Sequence, residues 1–380
     1  MKKMFFCLLV WMPLYGICQE DSFLVLSDVH LNMRQTKGAL YYNGDDIDNN
    51  LFDRVLSSIQ LGKAKYILSP GDFMWHADTE KKPLDDMKKV YGRITHQLHD
   101  EFPKAKMVAA MGNNDFMTDY EVDNASCKLF HEYMLAGLSK DGTVFKKFDE
   151  LGCYYYDIDA DIRIIVLNTT LFTKRCTNCD AKAQKQLKWL DSTLSQSSNK
   201  KVWLLYHVPP GLDRYMTYDV NKDNILKNKH TYIWNLTQSY QDSFYKKIET
   251  YKDIIKFQLA GHTHMDDYLV LSEEDKLTDT STSKRYIHIV PGLDMKHGNN
   301  PAYQMIHYDR TTGYVTQIVT HYIDSNYKWH VYVFHDFTFK RLNSSDDAAY
   351  RQYFTMRKPP KNIFDNATYK QQSIININAK

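Results

Sequence analysis

Five short apolar runs in this chain end in the same kind of polar punctuation. They are "VLSDVHL" at Val25–Leu31, "LSPGDFMWH" at Leu68–His76, "AAMGNNDFM" at Ala109–Met117, "LLYHVPPG" at Leu204–Gly211 and "LAGHTHMDD" at Leu259–Asp267. Each reads as a buried strand that stops at Gly, Asp, Asn or His. In an α/β sheet the carboxyl ends of strands are where ligands bind. A chain that places acids, amides and imidazoles at five such ends is constrained to bring those ends together.

The surrounding pattern agrees. Strands are expected at Phe23–Ser27, Lys65–Ser69, Lys106–Met111, Tyr154–Ile158, Arg163–Asn168, Val202–His207 and Ile255–Ala260. Amphipathic stretches near Asn50–Leu61, Leu84–Leu98, Ser126–Leu138, Ala181–Leu194 and Gln241–Lys252 fall between them. Such alternation predicts a layered α/β domain. From Arg285 the pattern changes to successive strands, "RYIHIV", "AYQMIHYD", "YVTQIVTHYI" and "WHVYVFHDF", which predicts a second sheet. A short helical tail is expected near Ser345–Met356. Two long polar loops, Asn32–Asn49 and Gly211–Tyr240, are of a length that in compact domains is functional or disordered.

The N-terminus, "MKKMFFCLLVWMPLYGICQE", has a basic start, an apolar stretch and small residues near Gly16 and Cys18. This is the pattern of a secretory signal peptide over residues 1–18, too short and too interrupted at Pro13 for a membrane span. The expected division is then a leader (1–18), a catalytic domain (19–325) and a C-terminal strand and helical extension (326–380). The expected location is secreted: extracellular, periplasmic, or a lysosome- or vacuole-like lumen. Removing the leader takes Lys2 and Lys3 but no acid, so 48 basic residues become 46 against 46 acidic ones. A mature chain near neutrality is no general binder of duplex nucleic acid or acidic membrane. Cys127, Cys153, Cys176 and Cys179 remain, and in an exported chain they predict structural disulfides in one of three pairings. Sequons at Asn124, Asn168, Asn235, Asn343 and Asn366 make glycosylation an expectation, with Asn168 doubtful because it follows a buried-looking strand.

The chemistry lies in the polar ends. Asp28 and His30 are two apart, and in extended backbone residues i and i+2 point the same way. A carboxylate and an imidazole then converge as they do around a divalent cation. His262 and His264 repeat the spacing in "GHTH". Asp72, Asn113 and His207 complete a set of seven, which with Asp72 shared makes four contacts for each of two ions.

The order D-x-H, G-D, G-N-x-D, H, G-H-x-H resembles the calcineurin-like metallophosphoesterase superfamily. That resemblance implies a four-layer α/β/β/α sandwich of two mixed β-sheets flanked by helices. It also implies two divalent metal ions, zinc by preference with manganese or iron as alternatives. One ion would be held by Asp28, His30, Asp72 and His264, the other by Asp72, Asn113, His207 and His262. Two such ions about 3.5–4 Å apart neutralise a phosphoester and activate water for in-line attack. "GDFMWH", "HVPPG" and "GNNPAYQMIHYD" are similar to the acid sphingomyelinase-like phosphodiesterases and the endopolyphosphatases. No Cys-rich saposin-like domain precedes the catalytic part, which weakens the sphingomyelin reading.

One position departs from the superfamily pattern. Where most members have G-N-H-[DE], this chain has Asn114, which donates a hydrogen bond but delivers no proton near neutral pH. The resemblance therefore moves the general acid to His76 and leaves Asn114 to orient the phosphate, with Asp115 fixing either the loop or a metal-bound His. A secreted phosphodiesterase acting on a phospholipid head group, nucleotide or polyphosphate follows. The alternatives are an endopolyphosphatase, a nucleotide phosphohydrolase or phosphatase on the same site, and a catalytically weak binding protein because of Asn114. Tyr215, Tyr218, Tyr232 and Trp234 either line a substrate site or pack the long loop onto the core.

Overall fold

The apolar spacing and capping residues account for the helices directly. Asp48 accepts a hydrogen bond from Leu51 N at the start of α1 (Asn49–Ser58), and Leu51, Phe52, Val55 and Leu56 form its buried stripe. Pro83 precedes α2 (Leu84–Glu101), where Asp85 and Asp86 sit in the first turn and Met87, Val90, Tyr91, Ile94 and Leu98 face inward. Asp123 caps α3 (Asn124–Met134) through Ser126 N. A single turn, α4 (Phe148–Leu151), then α5 (Asp180–Ser195) and α6 (Tyr240–Thr250) complete the α-helices among the described residues.

This computed structural model describes residues 20–34, 46–60, 64–77, 80–138, 148–211, 233–235, 238–272, 286–296, 299–323, 328–334 and 374–376. The expected leader, most of the Asn32–Asn49 and Gly211–Tyr240 loops and the helix near Ser345–Met356 lie outside them. In chain order the strands are β1 (Glu20–Val25), β2 (Tyr66–Ser69), β3 (Lys106–Ala109), β4 (Tyr154–Asp157), β5 (Ile162–Leu167), β6 (Lys201–Tyr206) and β7 (Ile255–Ala260). They continue with β8 (Asp267–Ser272), β9 (Tyr286–Ile289), β10 (Ala302–Asp309), β11 (Val315–Ile323), β12 (Trp329–Phe334) and β13 (Ile374–Asn376).

Two mixed sheets result. One runs β12-β11-β10-β1-β2-β3 and the other β13-β8-β9-β7-β6-β5-β4. Within the first, β1, β2 and β3 are parallel, while β10 lies antiparallel to β1 with Phe23 opposite Ile306. Within the second, β5, β6 and β7 are parallel. The strands beyond Arg285 do not build a sheet of their own, contrary to the sequence expectation. β9 joins β7 in the second sheet, whereas β10, β11 and β12 extend the first from β1. Alternating apolar residues specify a half-buried strand but say nothing of its partner.

Period-two alternation stacks the layers. Ile164, Val166, Trp203, Leu205, Phe257 and Leu259 face the first sheet, in the same core as Phe23, Tyr308 and the inner faces of α1, α2 and α3. Ile165, Leu167, Val202, Leu204 and Tyr206 face the other way, against Leu187, Leu190 and Leu194 of α5 and Phe244 and Ile248 of α6. The layers are thus helix, sheet, sheet, helix. Trp203 is the pin between the sheets: its ring meets Phe23 at 5.0 Å and Tyr308 at 5.3 Å, and its Nε1 donates to Gly313 O at 2.9 Å.

Trp234 belongs to this core rather than to an exposed face. It is fully buried between Phe172 at 4.7 Å and Phe244 at 5.2 Å. Tyr215, Tyr218 and Tyr232 lie outside the described residues. Among the described residues, Cys176 and Cys179 form a disulfide, and Cys127 and Cys153 are buried thiols outside any disulfide. Of the two bridges that four cysteines allow, one is thus present, and Cys127 packs in the core as a small apolar side chain. Asn168 is fully buried, with its amide donating to Leu151 O.

Candidate functional site

All seven predicted donors follow strand carboxyl ends. Asp28 and His30 follow β1, Asp72 follows β2, Asn113 follows β3, His207 follows β6, and His262 and His264 follow β7. The parallel strands of both sheets end on one side, so five distant stretches meet there.

How the donors converge differs from the extended geometry expected for D-x-H and H-x-H. Asp28, His30, Asp72, His262 and His264 all have left-handed backbone, with φ of 47°, 43°, 59°, 76° and 60°. Non-glycine residues rarely adopt that region, and it clusters at functional sites where surrounding bonds over-determine it. Those bonds are present. Asp28 N donates to Gly71 O, His30 N to Asp72 O, and Gly292 N to His264 O. Asp115 is the hub, its carboxylate accepting from the backbone N–H of Asp72, Phe73, Met74 and Gly112 at 2.8–3.2 Å. Burial and the charge of Asp72 push Asp115 up to about 6. Two glycines are required by close approach. A Cβ on Gly112 would sit 2.0 Å from Asp72 Oδ1, and one on Gly261 would sit 2.5 Å from Ser27 Oγ.

The donor atoms form overlapping clusters. Asp28, His30 and Asp72 make one and Asp72, His207 and His262 another, each with its atoms within 4.8 Å of one another. Asp72 belongs to both. His264 Nε2 is 3.4 Å from Asp28 Oδ1, His207 Nε2 is 3.0 Å from Asp72 Oδ2, and Asn113 Oδ1 is 3.2 Å from His207 Nε2. Six of the seven are buried, and His262 is half-buried on the open side.

This arrangement fits a cation. His30 Nδ1 donates to Met74 O at 2.8 Å, which leaves a lone pair on Nε2 of the neutral ring. Burial, reinforced by His76, holds His30 well below 6.5, in that neutral form. His30 Nε2 has no hydrogen-bond partner, yet it lies 3.5 Å from Asp72 Oδ2 and 4.0 Å from Asp28 Oδ1. Buried lone pairs facing buried carboxylates are stable only with positive charge between them. His207 reports the same demand: burial disfavours its charge, but Asp72 overrides burial and lifts it to about 9.

His76 stacks on His30 with ring centroids 3.8 Å apart. Its Nδ1 bonds Asp46 Oδ1 at 2.6 Å, and its backbone N donates to Asp46 Oδ2. Burial pushes His76 down, but the Asp46 hydrogen bond and the charge of Asp294 outweigh it and hold the imidazole above 6.5. Asn114 is turned toward Asp72: its backbone N donates to Asp72 Oδ1 at 2.7 Å and its Nδ2 to Asp72 Oδ2 at 2.8 Å.

Three polar residues of the site were absent from the sequence expectation. Asp46 orients His76, Asp294 bonds His264 Nδ1, and Ser27 Oγ donates to Asp28 Oδ2. Asp294 is itself fixed by "GNNP", since Asn299 Nδ2 donates to Asp294 O at 2.7 Å. The loop length around Asp46 and the "GNNP" turn were the available signals, but neither names the acid.

Comparison with known proteins agrees with this geometry. The family model for calcineurin-like phosphoesterases matches residues 22–266. Human acid sphingomyelinase-like phosphodiesterase 3b is 26% identical over 280 residues, covering 68% of this chain and 56% of the relative. Human cyclic GMP-AMP phosphodiesterase SMPDL3A is 25% identical over 324 residues, covering 79% of this chain and 67% of the relative. The chain thus matches little more than half to two thirds of those relatives' lengths. A solved structure of PhoD superposes with a TM-score of 0.51 at 10% identity, over 83% of this chain and 68% of that one. Taken with the shared motif order, the family match makes this chain a member of the calcineurin-like phosphoesterase family.

Proposed function

We propose that the chain is an exported, binuclear-metal phosphodiesterase. The observation that carries this reading is the pair of donor clusters meeting at Asp72. Asp28, His30, Asp72 and His264 would hold one ion, and Asp72, Asn113, His207 and His262 the other. Imidazole and oxygen donors together suit zinc. When bound, the ions neutralise the phosphoester's charge and activate water for attack on phosphorus. The names of the relatives, a sphingomyelinase-like and a cyclic GMP-AMP phosphodiesterase, support a diester as the substrate class. The signal-like N-terminus supports export.

The chain's own residues take the remaining tasks. His76, half-buried beside His30 and oriented by Asp46, donates the proton that the leaving oxygen needs. Asn114 steadies Asp72 with one amide hydrogen and keeps the other for a phosphoryl oxygen. Asp294 holds His264 in the tautomer that presents Nε2.

The test measures hydrolysis of bis-p-nitrophenyl phosphate and mono-p-nitrophenyl phosphate by protein reconstituted with zinc, manganese or iron. A higher kcat/KM on the diester, lost on chelation, is the expected result. Preference for the monoester assigns a phosphatase instead. Stoichiometric metal with no turnover of either ester defeats the enzymatic reading.

A further inference from the structure

Beside the donor clusters, Arg175 has no carboxylate partner among the described residues. Arg34, Arg93, Arg163 and Arg310 each pair with an aspartate, namely Asp86, Asp53, Asp157 and Asp159. Arg175 is exposed, and among the described residues no ion pair or hydrogen bond engages its guanidinium. It lies over the ring of Tyr120, 3.9 Å from the centroid. The Tyr120 ring in turn meets the His262 ring edge-to-face at 6.3 Å. His262 is the candidate ligand that remains half-exposed, so Arg175 borders the open side of the site.

Both members of this pair are held in place. Tyr120 is 6% exposed and has φ of 65°, a left-handed backbone that a bulky side chain adopts only when its surroundings dictate it. Its N donates to Asn113 O at 3.0 Å, which ties the platform to a candidate ligand. Arg175 is followed at once by the Cys176–Cys179 bridge. Its turn is pinned on the other side by Lys174 N to Ile233 O and by Asn235 N to Phe172 O. A guanidinium already stacked and tethered gives up little freedom on binding, and its planar fork matches phosphate oxygens two at a time.

We infer that Arg175, carried on Tyr120, binds a second anionic group of the substrate beyond the scissile phosphoester. The site is thereby directed to nucleotide-type substrates with more than one phosphate and away from zwitterionic head groups. This deepens, and rests on, the phosphodiesterase reading above.

The test compares wild type, Arg175→Gln and Arg175→Lys at fixed metal concentration. Substrates are ATP, which carries further phosphates, and bis-p-nitrophenyl phosphate, which carries a single charge. Direct titration with an ATP analogue carrying methylene bridges at both the α,β and β,γ positions supplies a readout independent of turnover. Arg175→Gln is expected to raise KM for ATP and Kd for the analogue about tenfold, with kcat within about twofold and the aryl diester unaffected. Arg175→Lys recovers part of the loss. Equal losses on both substrates, or an unchanged Kd for the analogue, overturn the inference. If wild type hydrolyses neither ester, the phosphodiesterase reading fails, and the analogue's Kd alone still decides the role of Arg175.

Discussion

Asp28, Asp72 and His264 were legible because each sits beside the glycine or strand end that gives it away. Their left-handed backbone was not, since the hydrogen bonds that impose it, such as Asp28 N to Gly71 O, join segments far apart in sequence. Asp46 and Asp294 were hidden for the same reason, each lying 30 residues from the histidine it orients. Asp294→Ala removes the acceptor for His264 Nδ1 and should weaken metal affinity about 10- to 100-fold, read from chelator competition. An unchanged affinity would show that backbone alone orients His264. A proton donor at His76 matters only for a poor leaving group. His76→Ala should therefore slow alkyl diesters about 100-fold or more, while p-nitrophenyl esters, whose phenolate leaves without help, change little. Equal slowing of both would remove His76 from the donor role.

The elements show where periodicity suffices and where it stops. The near-continuous apolar runs of β5 and β6 mark strands buried on both faces, with Ile164 and Val166 on one side and Ile165 and Leu167 on the other. The alternation in β9 and β10 is just as clear, yet these strands enter different sheets. The discriminating information is tertiary. His288 on β9 bonds Gln304 Oε1 on β10 at 2.8 Å, and Gln304 Nε2 donates to Asp266 and to Thr320 on β11, a buried polar stitch between the sheets. Burial lowers His288 from 6.5 to about 4, with the Gln304 bond offsetting only part. Between those values the unfolded chain binds more protons than the folded one. The contribution is complete above pH 6.5 and is lost as pH falls towards 4, by up to about 3 kcal/mol. Denaturant midpoints across that window should fall less steeply for His288→Gln than for wild type. Parallel slopes would mean that His288 titrates normally.

At the scale of the whole molecule, the candidate donors come from both sheets: four of them follow β1, β2 and β3, and three follow β6 and β7. Cations bound there would brace the two sheets against each other at the strand ends, as Trp203 does deeper in the sandwich. Chelation should therefore lower Tm, and zinc at 1,000 times its Kd should restore about 4 kcal/mol. A Tm indifferent to chelation would place any bound metal elsewhere. Among the described residues no helix is long and apolar enough to cross a membrane. The most direct measurement is the metal content of purified protein by mass spectrometry, for wild type and Asp72→Asn side by side. Two equivalents per chain in wild type, falling below one in Asp72→Asn, is the predicted result. A wild type that binds fewer than two ions, or an Asp72→Asn chain that keeps both, contradicts a shared carboxylate at the centre of the site.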